Sequence, residues 1–326
     1  MNPSTNNSTN QKILDNRYVI QKEIGSGATA EVYIVLDNYS GETKVAKIYS
    51  DNARIDFERE VKIYQRLKEI NLPANIRCYA YGEGYLEQNE ISEKKMFLIL
   101  EYGSHGSLFD KISARKNGFS EEVCQYMLLK ILDAVEGLHK EGICHRDLKP
   151  ENIVLTGNNH DIKLIDLGVA TTFINNENQK KKLIRKAGSP YYSAPEILEH
   201  KPYDGDKVDI FSIGALLFVL MTRRLAFAEA KINNIPMNRE KRLYKLIKQK
   251  KYDKYWETLD KYFDIKDIPQ KFKNLFVKMV AYNPEERPSF EEIRNDEWMA
   301  DITKANEERL MNIREKMMEE LMIEQA

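Results

Sequence analysis

The chain has 326 residues, and although 31% of them are charged its formal net charge is −1. That balance excludes recruitment of nucleic acid or an anionic membrane by a global field, and no apolar run approaches the length of a spanning helix. Cys78, Cys124 and Cys144 are odd in number and show no Cys-x-x-Cys spacing, so they read as reduced thiols of an intracellular protein and not as a disulfide framework or a zinc site.

In chain order, residues 1–17 begin Asn/Ser/Thr-rich, with neither the basic start nor the apolar centre of a signal peptide, and are expected to form a disordered tail. The residue after Met1 is Asn2, so the glycine needed for myristoylation is missing. Strands are expected over Tyr18 to Ile24, Glu31 to Asp37 and Lys44 to Tyr49. Phe57, Val61, Tyr64 and Leu67 give Ile55 to Ile70 a helical spacing. Two more strands are expected around Ile76 to Gly82 and Met96 to Tyr102, with the polar stretch Glu83 to Lys95 as a solvated connection between them. After Gly103 the pattern turns helical, over Glu121 to Lys140, Val208 to Thr222, Arg239 to Lys250, Gln270 to Val280 and Ser289 to Ala300. A small β unit (18–102) therefore precedes a larger helical one (103–298), with a cleft expected at their junction. Residues 299–326 carry Leu310, Ile313, Met317 and Leu321 at helical spacing, the mark of an amphipathic helix.

Three strings carry chemistry. Gly25-Ser26-Gly27-Ala28 lies between two strands, where a loop without bulky side chains lets backbone N–H groups approach phosphates. His145-Arg146-Asp147-Leu148-Lys149-Pro150-Glu151-Asn152 puts a carboxylate, an ammonium and a carboxamide on one short loop. Asp147 can accept a hydroxyl proton, Lys149 can hold a transferring phosphoryl group and Asn152 can ligate a metal. Fourteen residues after Asn152, Asp166 offers a second metal-binding carboxylate.

In this order and spacing the strings resemble those of the eukaryotic protein kinases, over roughly Tyr18 to Trp298. The resemblance implies an α+β bilobal fold, with a five-stranded antiparallel lobe and one helix ahead of a mainly helical lobe. It also implies ATP and Mg2+ as cofactors and transfer of the γ-phosphoryl to Ser/Thr hydroxyls of protein substrates. Lys149-Pro150-Glu151 looks like the serine/threonine type, and Ser107 to Asp110 with Ser189 to Tyr192 look most like the calcium/calmodulin-dependent and calcium-dependent group. By the same resemblance Lys47 orients the α- and β-phosphates and pairs with Glu60, Glu58 being the rival. Ile24, Gly25, Ser26, Gly27, Ala28, Val32, Val45, Leu100, Glu101, Tyr102, Gly103 and Val154 surround the nucleotide, and Asn152 and Asp166 hold magnesium. Ser189 is expected to hydrogen-bond Asp147 and Lys149, Glu196 to pair with Arg287, and Asp209 to hold the backbone of the catalytic loop. Arg146 sits where the family commonly collects an activation-loop phosphate. No Ser or Thr lies between Phe173 and Gly188, so no mid-loop phosphorylation is expected to switch the chain on.

The chain departs from the pattern at Ala30 (last glycine of the loop), Val45 (usually alanine), Leu167 (usually phenylalanine) and Ala226 to Arg239, which lacks Pro-Pro-Phe. The first three motivate a rival reading as a pseudokinase scaffold without turnover, and a small-molecule phosphotransferase is a second. Glu151 implies a mild preference for an arginine upstream of the target hydroxyl. Lys180-Lys181-Lys182 is either a solvated loop or a contact for acidic partners. The C-terminal helix docks either on the large lobe or on another chain, or else binds calmodulin. Seven acidic against four basic residues from Asp301 onward argue against calmodulin. A cytoplasmic location, with nuclear access, is expected.

Overall fold

A computed structural model describes residues 11–70, 72, 74–175, 177, 179–227 and 239–322. The chain divides into two compact units, the first ending at Ser104 and the second beginning at His105.

In the first unit six strands close into a barrel, in the order β1 (Ile13–Leu14), β2 (Tyr18–Ser26), β3 (Ala30–Asp37), β4 (Thr43–Tyr49), β6 (Ile91–Glu101), β5 (Cys78–Gln88), and α1 (Arg54–Ile70) lies between β4 and β5 in sequence. Two expectations are corrected here. Residues 13–14 belong to the fold and not to a tail: they pair with both β2 and β5, and Leu14 is fully buried. This short strand makes the sheet six-stranded and removes its open edge. Glu83 to Lys95 is also no loose connection, because β5 and β6 continue through it as one hairpin. Its charges were misleading, since strand residues alternate faces. Glu83 points outward to ion-pair with Arg54 and Lys94 (both 2.6 Å), while Leu86 points into the barrel core beside Tyr33, Ile48 and Phe97.

The second unit begins with α2 (Leu108–Ser113) and α3 (Glu121–Lys140), followed by the short strands β7 (Ile143–Cys144), β8 (Ile153–Thr156), β9 (Asp161–Leu164) and β10 (Thr171–Thr172). Next come α4 (Pro195–Leu198), α5 (Gly205–Thr222), α6 (Arg239–Lys248), α7 (Tyr252–Phe263), α8 (Gln270–Met279), α9 (Phe290–Arg294), α10 (Ala300–Thr303) and α11 (Glu307–Met322). Helix α5 is buried on every side from Val208 to Leu220, a stretch that is apolar apart from Asp209 and Ser212. A Cβ on Gly214 would sit 2.9 Å from Met279 and Val280, so only glycine lets α5 and α8 approach this closely. Trp256 of α7 packs its ring against Phe218, Phe272 and Phe276. The single helix expected over Ser289 to Ala300 is shorter: α9 ends at Arg294, and the next helix, α10, begins only at Ala300. Helix α11 lies on α3 through Ile313, Met317 and Leu321. Glu320 there accepts from the Ser120 amide (3.0 Å) at the start of α3 and pairs with Arg115 (3.1 Å). Of the alternatives for the C-terminal stretch, the structure shows docking on the helical unit. Most of Ala226 to Arg239 lies outside the described residues.

Candidate functional site

The first unit carries one group of the expected residues. Strand alternation puts Lys47 and Tyr49 on one face of β4, and both reach the same carboxylate of α1. Lys47 Nζ lies 2.8 Å from Glu60 Oε2, and the Tyr49 hydroxyl donates to that oxygen at 2.5 Å. Glu60 is fully buried, whereas the rival Glu58 is exposed and faces Arg54. Tyr49 was not singled out from the sequence, although its place two residues after Lys47 is a signal that could have found it.

Gly25 and Ser26 end β2, paired with Val32 and Glu31, and Gly27 to Thr29 turn the chain into β3, closed by the Gly27 amide donating to the Ala30 carbonyl (2.9 Å). A Cβ on Gly25 or Gly27 would meet nothing nearer than 3.7 Å, so packing within the protein does not demand glycine at either position. Bare backbone beside open space suits a phosphate-bearing ligand. Ile24 is exposed, and Val32 faces Lys47 across the β3–β4 ladder. Leu100 is registered between Val45 and Cys78, and Glu101 returns to Arg77 through its amide (2.8 Å). Burial pushes the Cys78 thiol up to about 12, and Cys124 and Cys144 higher, so none is a ready nucleophile.

The second unit carries the other group, and there the grip on Asp147 is specific. Its Oδ2 lies 2.9 Å from Lys149 Nζ and accepts from Asn152 Nδ2 (3.0 Å). Its Oδ1 accepts from the Ser189 amide (2.7 Å), and Lys149 donates to the Ser189 hydroxyl (2.8 Å). Three cationic or polar donors thus orient one carboxylate on a loop. The loop backbone hangs from buried Asp209, which accepts from the His145 and Arg146 amides (both 2.8 Å) and faces His139 Nε2 (2.7 Å). His139 was missed because nothing local marks a helical histidine 70 residues from its partner.

Asn152 and Asp166 flank the same hairpin. Ile153 is registered with Leu164, and the Ile165 amide donates to the Asn152 carbonyl (3.0 Å). Asp166 adopts a left-handed φ of 60°. Among the described residues no group of three or more His, Cys, Asp or Glu gathers as a metal cage. Magnesium does not need one, because a carboxylate or two plus substrate phosphates suffice, and the oxygen donors here fit that pattern.

The segment after Gly188 is anchored from below. Ser212 of α5 donates to the Tyr192 carbonyl and Tyr244 to that of Ser193 (both 2.8 Å). Arg287 holds Glu196 with two parallel bonds of 2.6 and 2.7 Å. Burial raises the Tyr192 phenol, an effect reinforced by the charges of Glu151 and Asp147 nearby. Lys180 and Lys182 are paired with Asp206 (2.6 Å) and Asp204 (2.5 Å). Two of the three lysines therefore face acidic side chains of this chain itself.

A family model described as "Protein kinase domain" matches residues 18–299. The chain is similar to a human SNF-related serine/threonine-protein kinase, 31% identical over 87% of this chain and 34% of that protein. It is similar to CBL-interacting protein kinase 8 of Oryza sativa subsp. japonica, 32% identical over 86% of this chain and 57% of the relative. Human NUAK family SNF1-like kinase 1 is 30% identical over 88% of this chain and 39% of its own length. The chain belongs to the protein kinase family. It spans between about a third and somewhat over half of the length of these relatives.

Proposed function

We propose that the chain is a protein serine/threonine kinase that moves the γ-phosphoryl group of ATP to a hydroxyl of a protein substrate. The observation that carries this reading is the orientation of Asp147 by Lys149, Asn152 and the Ser189 amide. Phosphoryl transfer asks the protein mainly for positioning and charge neutralisation. In this role Asp147 orients the incoming hydroxyl and takes its proton, and Lys149 balances charge on the moving group. Lys47, held by Glu60, binds the α- and β-phosphates under the Gly25–Ala28 loop, and the backbone of Glu101 to Gly103 takes the adenine, with Leu100 behind it. Asn152 and Asp166 would hold magnesium, which supplies positive charge to the phosphate oxygens. Protein substrates with Ser or Thr are the partners this chemistry implies, and a cytoplasmic location suits the free thiols.

The test is incubation with γ-labelled ATP, magnesium and generic protein substrates. Label on Ser or Thr, lost on chelation, is the expected result. Nucleotide binding with no transfer by the wild type under any condition would overturn the reading in favour of a scaffold. Label on free small molecules alone would move it to another phosphotransferase class.

A further inference from the structure

Arg146 precedes the proposed proton acceptor, yet its side chain faces away from it into the protein. It is buried, with a left-handed φ of 68°. Nε donates to the Val169 carbonyl at 2.8 Å, Nη2 donates to the same oxygen, and Nη1 donates to the Tyr203 hydroxyl at 3.0 Å. A longer contact of 3.5 Å runs from Nη1 to the Arg185 carbonyl. The Tyr203 hydroxyl completes the chain by donating to that carbonyl at 2.6 Å. One phenol thus joins the catalytic loop to the segment that follows β10.

The same segment is fastened on either side of this bridge. Leu183 and Tyr203 exchange two backbone hydrogen bonds of 2.8 Å, and Lys182 pairs with Asp204. Gly188, at φ 91°, passes so close to the Arg146 carbonyl that a Cβ there would lie 2.3 Å from its oxygen. The next residue, Ser189, bonds Asp147 and Lys149. From Phe173 to Gly188 the sequence holds no Ser, Thr or Tyr to carry a phosphate. Thr171 and Thr172 are tied into the ladder with β7.

We propose that the Tyr203 hydroxyl pins residues 183–189 onto the catalytic loop, making Tyr203 a positioning residue for Asp147 in a chain that works without a phosphate on that segment. The proposal rests on the kinase reading for its catalytic consequence, but not for the pin itself.

The experiment compares the full chain with Tyr203→Phe and with Tyr255→Phe, after phosphatase treatment until the intact mass is that of the unmodified polypeptide. Tyr255 is the control: it is buried in the same unit and donates to the Ala226 carbonyl (2.9 Å), away from the segment. Two readouts are taken, kcat with a Ser/Thr peptide and the rate of tryptic cleavage after Lys181 and Arg185. Phosphate-free wild type should keep its activity within about twofold, and Tyr203→Phe should lose about tenfold in kcat and be cleaved about tenfold faster, the scale of one hydrogen bond to a charged group. Its KM for ATP should stay within about twofold, since no nucleotide contact changes. Tyr255→Phe should match the wild type in both readouts. The proposal is overturned if Tyr203→Phe behaves as the control, or if dephosphorylation silences the wild type and rephosphorylation restores it. If the wild type is inactive in every state, the kinase reading fails while the cleavage rates still decide the pin. Should Tyr203→Phe fold poorly, NMR of the phosphate-free wild type decides: a Tyr203 hydroxyl proton that exchanges slowly enough to be observed upholds the pin, and exchange as fast as that of a solvent-exposed phenol refutes it.

Discussion

The Glu196–Arg287 pair offers the clearest perturbation. The Arg287 side chain has no exposed surface, and that of Glu196 is 8% exposed. Substituting Glu196→Gln turns one of two acceptor oxygens into a donor facing a donor, and leaves the guanidinium without a counter-charge. Breaking a buried pair in this way costs about 3–5 kcal/mol, because the surviving charge stays desolvated. For a unit of roughly 200 residues each kcal/mol lowers Tm by about 2–4 °C, so a fall of about 6–20 °C is expected. Arg287→Met should cost at least as much, since Arg287 also donates to the Ala281 and Lys207 carbonyls (2.9 and 3.0 Å). The Glu196→Gln/Arg287→Met double variant should lose at least about 2 kcal/mol less than the sum of the singles, because it leaves no unpaired charge. Differential scanning calorimetry on the four proteins measures this. A Tm drop under about 2 °C for Glu196→Gln, or strict additivity in the cycle, would refute the reasoning.

Two further outcomes follow from other contacts. The Arg17 hydrogen bond, joined by Lys44, holds the buried Asp37 carboxyl far below its ordinary 3.8 despite the opposing effect of burial. A depressed folded-state value gives stability that is present above the ordinary value and lost as pH falls below it. Asp37→Asn should therefore weaken the protein at neutral pH and flatten the acid limb of its stability curve below about pH 4; an unchanged acid midpoint counts against the network. Met317→Ala, on the face of α11 against α3, should cost about 2–5 kcal/mol in denaturant unfolding. The exposed Met311→Ala should stay within about 0.5 kcal/mol, and equal effects would mean the helix is not docked.

Much of the site was legible because its chemistry is local. Asp147, Lys149 and Asn152 share one loop, and Lys47 with Glu60 lie on two elements whose periodicities, two and 3.6, are plain in the sequence. The misreadings come from places where tertiary partners override local character. Glu83 and Lys94 look like loop residues until β5 and β6 pair, when they become the solvated face of a hairpin. Ile13 and Leu14 are too few to announce a strand without β2 and β5 beside them. Helix α7 hides its Tyr252, Tyr255, Trp256 and Leu259 spacing among charged residues, though that i, i+3, i+4, i+7 pattern was there to be read. Tyr203 meets Arg146 across 57 residues, a contact set by the path of the intervening segment and by no motif.

The most direct test is to remove the proton acceptor and keep everything that positions it. Asp147→Asn preserves size and one acceptor oxygen, so affinity for magnesium–ATP by calorimetry should stay within about threefold of wild type. Its kcat for a Ser/Thr peptide should fall by about 10²–10⁴-fold, the usual contribution of a positioned base. Turnover within about threefold of wild type would contradict the assignment of Asp147, and with it the account of the site.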